Sequence, residues 1–262
     1  MLVPTMLDRV LDAATTLGSG LPSLRALSYG GGRMPEPVIA RAMTTLPHVG
    51  FVNAYGLTET SSTIALLSAD DHRISFAATD PAIRRRLHSV GKPLPGIEIE
   101  IRSTDCKTSL PAGESGEVYV RGAQVSGEYL GRKITDDEGW FATNDGGSMD
   151  ADGYLFIEGR LDDVIVRGGE NISPGEIEDC LRAHPAVADC AVIGLPCAQW
   201  GEKVAAVVVG RGDESEAALS AHVRAKLRST KTPETWFFTA ELPYSETGKL
   251  LRRELKKRYS GD

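Results

Sequence analysis

Fourteen residues, Gly159 to Ile172 (GRLDDVIVRGGENI), constrain this chain more than any other stretch. Gly159-Arg160 ends a half-apolar strand, Tyr154-Leu155-Phe156-Ile157. Asp162-Asp163 is a polar break of the kind that separates packed units. Val164-Ile165-Val166 is a short apolar strand. The turn after it, Gly168-Gly169, uses glycine where positive φ carries no steric cost. Ser173-Pro174-Gly175-Glu176 predicts a helix start, with Ser173 as N-cap, Pro174 at the first helical position and Glu176 closing a capping box. A strand thus leaves one domain, passes two aspartates and enters a second domain as strand, glycine turn and helix.

The 262 residues suffice for one large or two ordinary domains, and 41% hydrophobic with 25% charged residues is the composition of a globular chain with a core. A net charge of -7 argues against nucleic-acid binding, because phosphate backbones need a basic face. No apolar run approaches the roughly eighteen residues that span a bilayer. The four cysteines (Cys106, Cys180, Cys190, Cys197) lack C-x-x-C spacing, and with no signal peptide the expectation is reduced thiols in a cytoplasmic protein. The five histidines show no metal-ligand spacing.

From the start, Leu2, Met6, Leu7, Val10 and Leu11 recur with a helical period, with no earlier strand to pack against. A strand over Ser23–Tyr29 runs into Gly30-Gly31-Gly32. A helix opens at Pro35 with Val38, Ile39, Ala42, Met43 and Leu46 on one face, and Phe51-Val52-Asn53 is the next strand. This alternation predicts part of a parallel α/β sheet, with ligands at the carboxyl ends of its strands. At such an end lies Asn53 to Ser61. Tyr55 offers a ring for stacking, Thr58 a hydroxyl for phosphate and Glu59 a carboxylate for a hard cation. The same residues also fit a plain strand-to-loop turn with an incidental acid. Arg84-Arg85-Arg86 is either an anion site or, more simply, a solvated face. From Ser89 the alternation of Ile97 to Ile101 and of Glu117 to Val120, with Pro and Gly at the turns, predicts a small antiparallel, barrel-like unit. After the break, helices and Val/Ala-rich strands predict a compact α+β unit. Lys249, beside Gly248 in a loop, is either a surface lysine or a cation that a loop delivers into another domain's pocket.

Four segments together resemble the adenylate-forming superfamily of acyl-CoA synthetases, firefly-type luciferases and peptide-synthetase adenylation domains. They are the hinge GRLDDVIVRGGENI with the following PGEIE, the Y-G-x-T-E of Tyr55 to Glu59, the Trp140-to-Asp145 segment, and L-P-x-x-x-x-G-K ending at Lys249. The resemblance implies three parts: 1–90 as the end of the large α/β adenylate-binding subdomain, 91–161 as the β-rich subdomain, and 162–262 as a mobile α+β domain turning about Asp162. It implies that Tyr55 stacks on adenine, that Gly31, Gly32 and Gly56 line the nucleotide pocket, and that Thr58 contacts the α-phosphate. Glu59 would help hold Mg²⁺, Asp145 would accept both ribose hydroxyls, and Arg160 would lie near ribose and phosphate. Gly30, Gly31 and Gly56 fall on the acyl-pocket wall, and Gly168, Gly169 and Trp200 on the coenzyme A path. Lys249, with Thr58 and Glu59, would stabilise the charge gathered during adenylation. Asn144 replaces the family's usual glycine, and its tolerance of left-handed geometry lets the turn survive. Arg252, Arg253, Lys256, Lys257 and Arg258 are expected on a solvated helix face.

The reading that follows is an ATP-dependent carboxylate–CoA ligase using ATP, Mg²⁺ and coenzyme A on a small-molecule carboxylate. The hinge and the Gln199-Trp200-Gly201-Glu202-Lys203 stretch resemble aryl-CoA ligases as well as medium-chain fatty acyl enzymes. The alternatives are an adenylation domain that loads a carrier protein, and a non-catalytic remnant that binds AMP or CoA. The family's phosphate loop, a Ser/Thr/Gly-rich run ending in Pro-Lys, has no counterpart here. The expectation is a truncated form whose open sheet edge calls for an N-terminal segment or a second copy.

Overall fold

The computed structural model describes residues 2–105, 107–129, 132–212, 215–246 and 249–260. They fall into two compact units, Met1–Ile157 and Glu158–Asp262.

The first unit begins with α1 (Pro4–Thr16), β1 (Ala26–Gly30), α2 (Glu36–Thr45), β2 (Gly50–Leu57) and β3 (Ser62–Leu67). It continues through α3 (Ala69–Ala77), α4 (Pro81–Arg84) and β4 (Lys92–Pro93). The sheet order is β1-β2-β3-β4. Only β1 and β2 are parallel; β2–β3 and β3–β4 are antiparallel. The expected parallel sheet is therefore a single parallel pair. For β2 and β3 the reason is loop length: Thr58 to Ser61 joins them, far too short for the dozen or more residues of a parallel crossover. The opening helix is well packed. Leu7 and Leu11 are fully buried with Leu27, Tyr29, Ile39 and Phe51, while Met6 is exposed. The edge beside β1 is also occupied at one point, where Leu2 forms a parallel bridge to Tyr29.

The second sheet of this unit has β5 (Ile97–Arg102), β6 (Ser115–Gly122), β9 (Phe141–Met149) and β10 (Leu155–Arg160) in the order β10-β9-β6-β5. A separate hairpin pairs β7 (Glu128–Tyr129) with β8 (Arg132–Lys133). The expected barrel does not form among the described residues, since four strands fall short of the about eight that close around a side-chain core. The apolar side of the sheet is covered instead by β3: Ile97, Ile101, Val118, Val120 and Leu155 pack with Ile64 and Ala65. The arginine triplet is a partly solvated face, with Arg85 exposed, Arg84 half-exposed and only Arg86 largely covered. Arg86 pairs with Asp150 and Asp152 and lies 4.4 Å over the Tyr154 ring, Arg84 pairs with Glu36, and Arg85 lies over Phe156.

The second unit contains β11 (Ile165–Arg167), β12 (Glu170–Ile172), α5 (Pro174–Arg182), β13 (Val187–Cys197) and β14 (Gly201–Gly210). Then come α6 (Glu216–Lys226), β15 (Thr235–Phe238) and α7 (Arg252–Tyr259). The sheet runs β12-β11-β14-β13, with β15 parallel to β14. Both faces of β13 and β14 are buried, which explains their unbroken Val/Ala runs. Val192, Val204, Ala206 and Val208 pack with Ile177 and Leu181 of α5 and Leu219 and Val223 of α6. Ala191, Ile193, Ala205 and Val207 pack with Leu242 and with Leu255 of α7. The predicted capping box is absent: the Ser173 hydroxyl donates to the Glu158 carbonyl, and Glu176 pairs with Lys231. Among the described residues no helix is long and apolar enough to cross a membrane.

Candidate active site

The carboxyl ends of β1 and β2 lie side by side, with Gly30 level with Ala54. From β1 issues Gly30-Gly31-Gly32, and from β2 issues Tyr55 to Glu59. The register between β2 and β3 shifts between Tyr55 and Gly56. At that step a Cβ on Gly56 would lie 2.0 Å from the Ser62 carbonyl oxygen, so only glycine allows the strands to approach so closely. Beyond it, Thr58 is exposed and Glu59 partly exposed. Thr60 holds their turn. Its fully buried hydroxyl accepts from the Leu57 N–H at 3.0 Å and lies 2.9 Å from both the Leu57 and Ser62 carbonyls. Gln124 donates to the Thr63 carbonyl at 2.7 Å, and the Ser126 N–H donates to the Glu59 carbonyl at 2.8 Å. Sequence reasoning missed Thr60 and Gln124. Their signal, a Thr within a Thr-rich loop and a distant Gln, is too common to single out.

Asp145 comes from the second sheet of the same unit. From Tyr119 to Glu117 strand β6 advances two residues, while β9 advances four, from Ala142 to Gly146. The two extra residues form a bulge that re-aims the chain. Asn144 within it has φ +59°, the left-handed conformation expected of it. Thr143 secures the bulge by donating to the Val118 carbonyl at 2.8 Å and accepting from the Asp145 N–H at 3.1 Å. Asp145 is left only 6% exposed, and the Tyr55 hydroxyl donates to its Oδ2 at 2.5 Å. The structure thus joins two predicted site residues that lie ninety positions apart. Beneath the glycine loop, the Tyr29 hydroxyl donates to His72 Nε2 at 2.7 Å, and His72 Nδ1 donates to the Ser68 carbonyl at 2.8 Å.

Arg160, Asp162, Gly168, Gly169, Trp200 and Lys249 belong to the second unit. Arg160 ends β10, and Asp162 lies in the one-turn helix Leu161–Asp163. Gly168 and Gly169, at φ +58° and +84°, make the two-residue turn between β11 and β12. The Gly168 N–H donates to the Trp200 carbonyl at 2.8 Å, and a Cβ there would lie 2.9 Å from the indole. Trp200 is 41% exposed with the Arg167 guanidinium 5.2 Å from its ring, so the three coenzyme A candidates form one cluster. Lys249 is exposed, on the return side of a small hairpin. The Ser245 N–H donates to the Lys249 carbonyl at 2.8 Å, the Lys249 N–H donates to Ser245 Oγ at 3.0 Å, and Tyr244 bridges Leu250. Thr247 and Gly248 lie outside the described residues, as does Cys106.

Among the described residues no three His, Cys, Asp or Glu side chains cluster as a metal site. Glu59 belongs to no such cluster, and a single carboxylate suits Mg²⁺ held chiefly by substrate phosphates rather than by a protein cage. Asp145 fits a sugar, since its nearly buried carboxylate already accepts from a hydroxyl.

The AMP-binding enzyme family matches residues 1–130, and the AMP-binding enzyme C-terminal domain matches residues 176–249. The chain belongs to this family of adenylate-forming enzymes. Among its relatives is a 2-succinylbenzoate–CoA ligase of Bacillus mycoides (strain KBAB4), 36% identical over 252 residues, which are 94% of this chain and 49% of the relative. An amide bond synthetase from Marinactinospora thermotolerans superposes with TM-score 0.87 at 32% identity, covering 98% of this chain and 51% of that one. An o-succinylbenzoate CoA synthetase from Bacillus subtilis, solved with its acyl-adenylate intermediate, gives TM-score 0.80 at 32% identity, with 97% and 50% covered. The chain spans about half the length of the relatives it matches.

Proposed function

We propose that this chain supplies the adenylate- and thiol-handling half of an ATP-dependent carboxylate–CoA ligase. The observation that carries the reading is the Tyr55–Asp145 pair, seated beside the Thr58-Glu59 turn at the carboxyl end of β2. A carboxylate is a poor electrophile until one of its oxygens belongs to a good leaving group. In the first step a substrate carboxylate oxygen attacks the α-phosphorus of ATP, and pyrophosphate departs. Thr58 contacts the α-phosphate and Glu59 helps hold Mg²⁺, which offsets phosphate charge. Tyr55 presents its ring to adenine across Gly31, Gly32 and Gly56. Asp145 accepts from the ribose hydroxyls, and Arg160 and Lys249 add fixed positive charge where the transition state gathers negative charge. In the second step the coenzyme A sulfur attacks the acyl carbon and AMP leaves. Gly168, Gly169 and Trp200 guide the thiol arm, and residues 162–262 turn about Asp162 between the steps. Gly30, Gly31 and Gly56 border the acyl group. The substrate in the names of two relatives, succinylbenzoate, supports an aromatic carboxylate.

A second acceptor is favoured by one comparison. The similarity to an amide bond synthetase supports an amine attacking the same adenylate. The test is carboxylate-dependent pyrophosphate release with ATP and Mg²⁺, using benzoates and short, medium and long fatty acids, alongside Lys249→Ala. Release that needs Lys249 and a benzoate supports the reading; CoA or an amine then identifies the acceptor. A folded chain that neither releases pyrophosphate nor binds AMP refutes it.

A further inference from the structure

Lys249 is an exposed side chain on a short hairpin, yet the proposed role needs it delivered to one place. Loose placement of a cation forfeits most of its catalytic effect. What fixes the hairpin is therefore a functional question. The answer lies in a buried ionic network that the sequence did not suggest. Where the chain enters the hairpin, the Tyr244 hydroxyl donates to Asp189 Oδ2 at 2.6 Å. Where it leaves, Arg252 donates through Nη2 to Glu178 Oε1 at 2.5 Å. The Leu251 N–H donates to the Pro243 carbonyl at 2.9 Å and closes the loop between these two moorings.

The acceptors themselves are rigid. Glu178 is 4% exposed on α5, and its Oε1 also accepts from the Val192 N–H of the central strand β13 at 2.8 Å. Asp189 lies near the start of that strand, and Arg182 lies between the two acceptors, 3.8 Å from Glu178 and 3.4 Å from Asp189. Arg252 also lies 3.9 Å from Asp163, the residue after the expected pivot. One guanidinium thus touches the helix that builds the unit's core, the turn at its entrance and the base of the lysine hairpin.

We propose that Arg252 is a positioning residue for Lys249: it fixes the hairpin to Glu178 and thereby sets where the lysine amine is presented. This rests on Lys249 being the adenylation cation, but the anchoring can be measured without activity. Hydrogen–deuterium exchange of the full chain is compared among wild type, Arg252→Gln, Arg252→Lys and Tyr244→Phe. Losing a charge-assisted hydrogen bond at the hairpin base predicts about tenfold faster exchange at the Ser245, Lys249 and Leu251 amides in Arg252→Gln. The Val204 to Val208 amides should keep wild-type rates. Arg252→Lys, with one point charge in place of a planar fork, should fall between. Pyrophosphate release should drop about tenfold in Arg252→Gln, while transfer of a supplied acyl-adenylate to CoA is spared.

Unchanged hairpin exchange in Arg252→Gln overturns the proposal, as does acceleration spread evenly over the unit, the mark of a purely structural role. Equal loss in both partial reactions also overturns it. If wild type shows neither partial reaction, the ligase reading fails on its own, and the exchange rates still decide whether Arg252 holds the hairpin.

Discussion

The Tyr55–Asp145 hydrogen bond makes a quantitative prediction about nucleotide binding. The two side chains expected to grip adenine and ribose are bonded to each other at 2.5 Å. If a ribose hydroxyl takes the Oδ2 site that Tyr55 now occupies, the Tyr55 hydroxyl must give up its place. A hydrogen bond to a charged group contributes about 1.5–3 kcal/mol net, and at 6% exposure Asp145 regains little from water when it breaks. Tyr55→Phe keeps the ring for stacking and removes that cost from the binding equilibrium. The expected outcome is AMP affinity raised by at least about tenfold. Titration calorimetry of the folded variant against wild type measures it, with Asp145→Ala as the control that should lose binding. If Tyr55→Phe binds AMP equally or more weakly, the hydroxyl is not displaced by ribose, and the competition inferred from the pair is wrong.

Two further outcomes follow from the same unit. Gly56→Ala places a methyl group 2.0 Å from a backbone oxygen, which no side-chain rotation relieves. It should cost about 1–3 kcal/mol, seen as a lower melting temperature, and should weaken AMP binding by disturbing Tyr55. His72 is fully buried, and burial lowers its pKa from the ordinary 6.5. The unfolded chain therefore takes up a proton there before the folded one does. The stability owed to neutral His72 is complete above about pH 6.5 and is lost as pH falls from there through the depressed folded-state value. Urea unfolding across pH 7.5 to about 5 should show a shallower acid loss for His72→Gln than for wild type; equal slopes would remove His72 from the account.

The glycine turn was legible because it depends on backbone rules that residue type obeys locally. Gly168 and Gly169 do take positive φ, and Asn144 does take the left-handed conformation. Strand direction was not legible, because a helix-like alternation before β2 says nothing about how the chain leaves it. Arg252 was misread for a related reason. Its helix reads RRELKKRY, charged on nearly every side, and nothing in that run says which charge is buried. The informative residue was elsewhere. Glu178 sits among Ile177, Cys180 and Leu181 on the buried stripe of α5, and a carboxylate there must have a partner. That partner lies 74 positions away, beyond what a local pattern can identify.

The two halves of the proposed nucleotide grip share a construction. Tyr55 sits at a register shift between β2 and β3, and Asp145 lies in the bulge of β9. A regular ladder would project alternate side chains to fixed faces and could not aim these two at one another. Interrupting a ladder leaves backbone groups that must find other partners when water is excluded. In each case a buried threonine supplies them: Thr60 between Leu57 and Ser62, and Thr143 between Val118 and Asp145. A hydroxyl both donates and accepts, so one side chain can serve an N–H and a carbonyl together. The irregular backbone is thereby tied down rather than loose, and two residues from different sheets are held within hydrogen-bond distance before any nucleotide arrives.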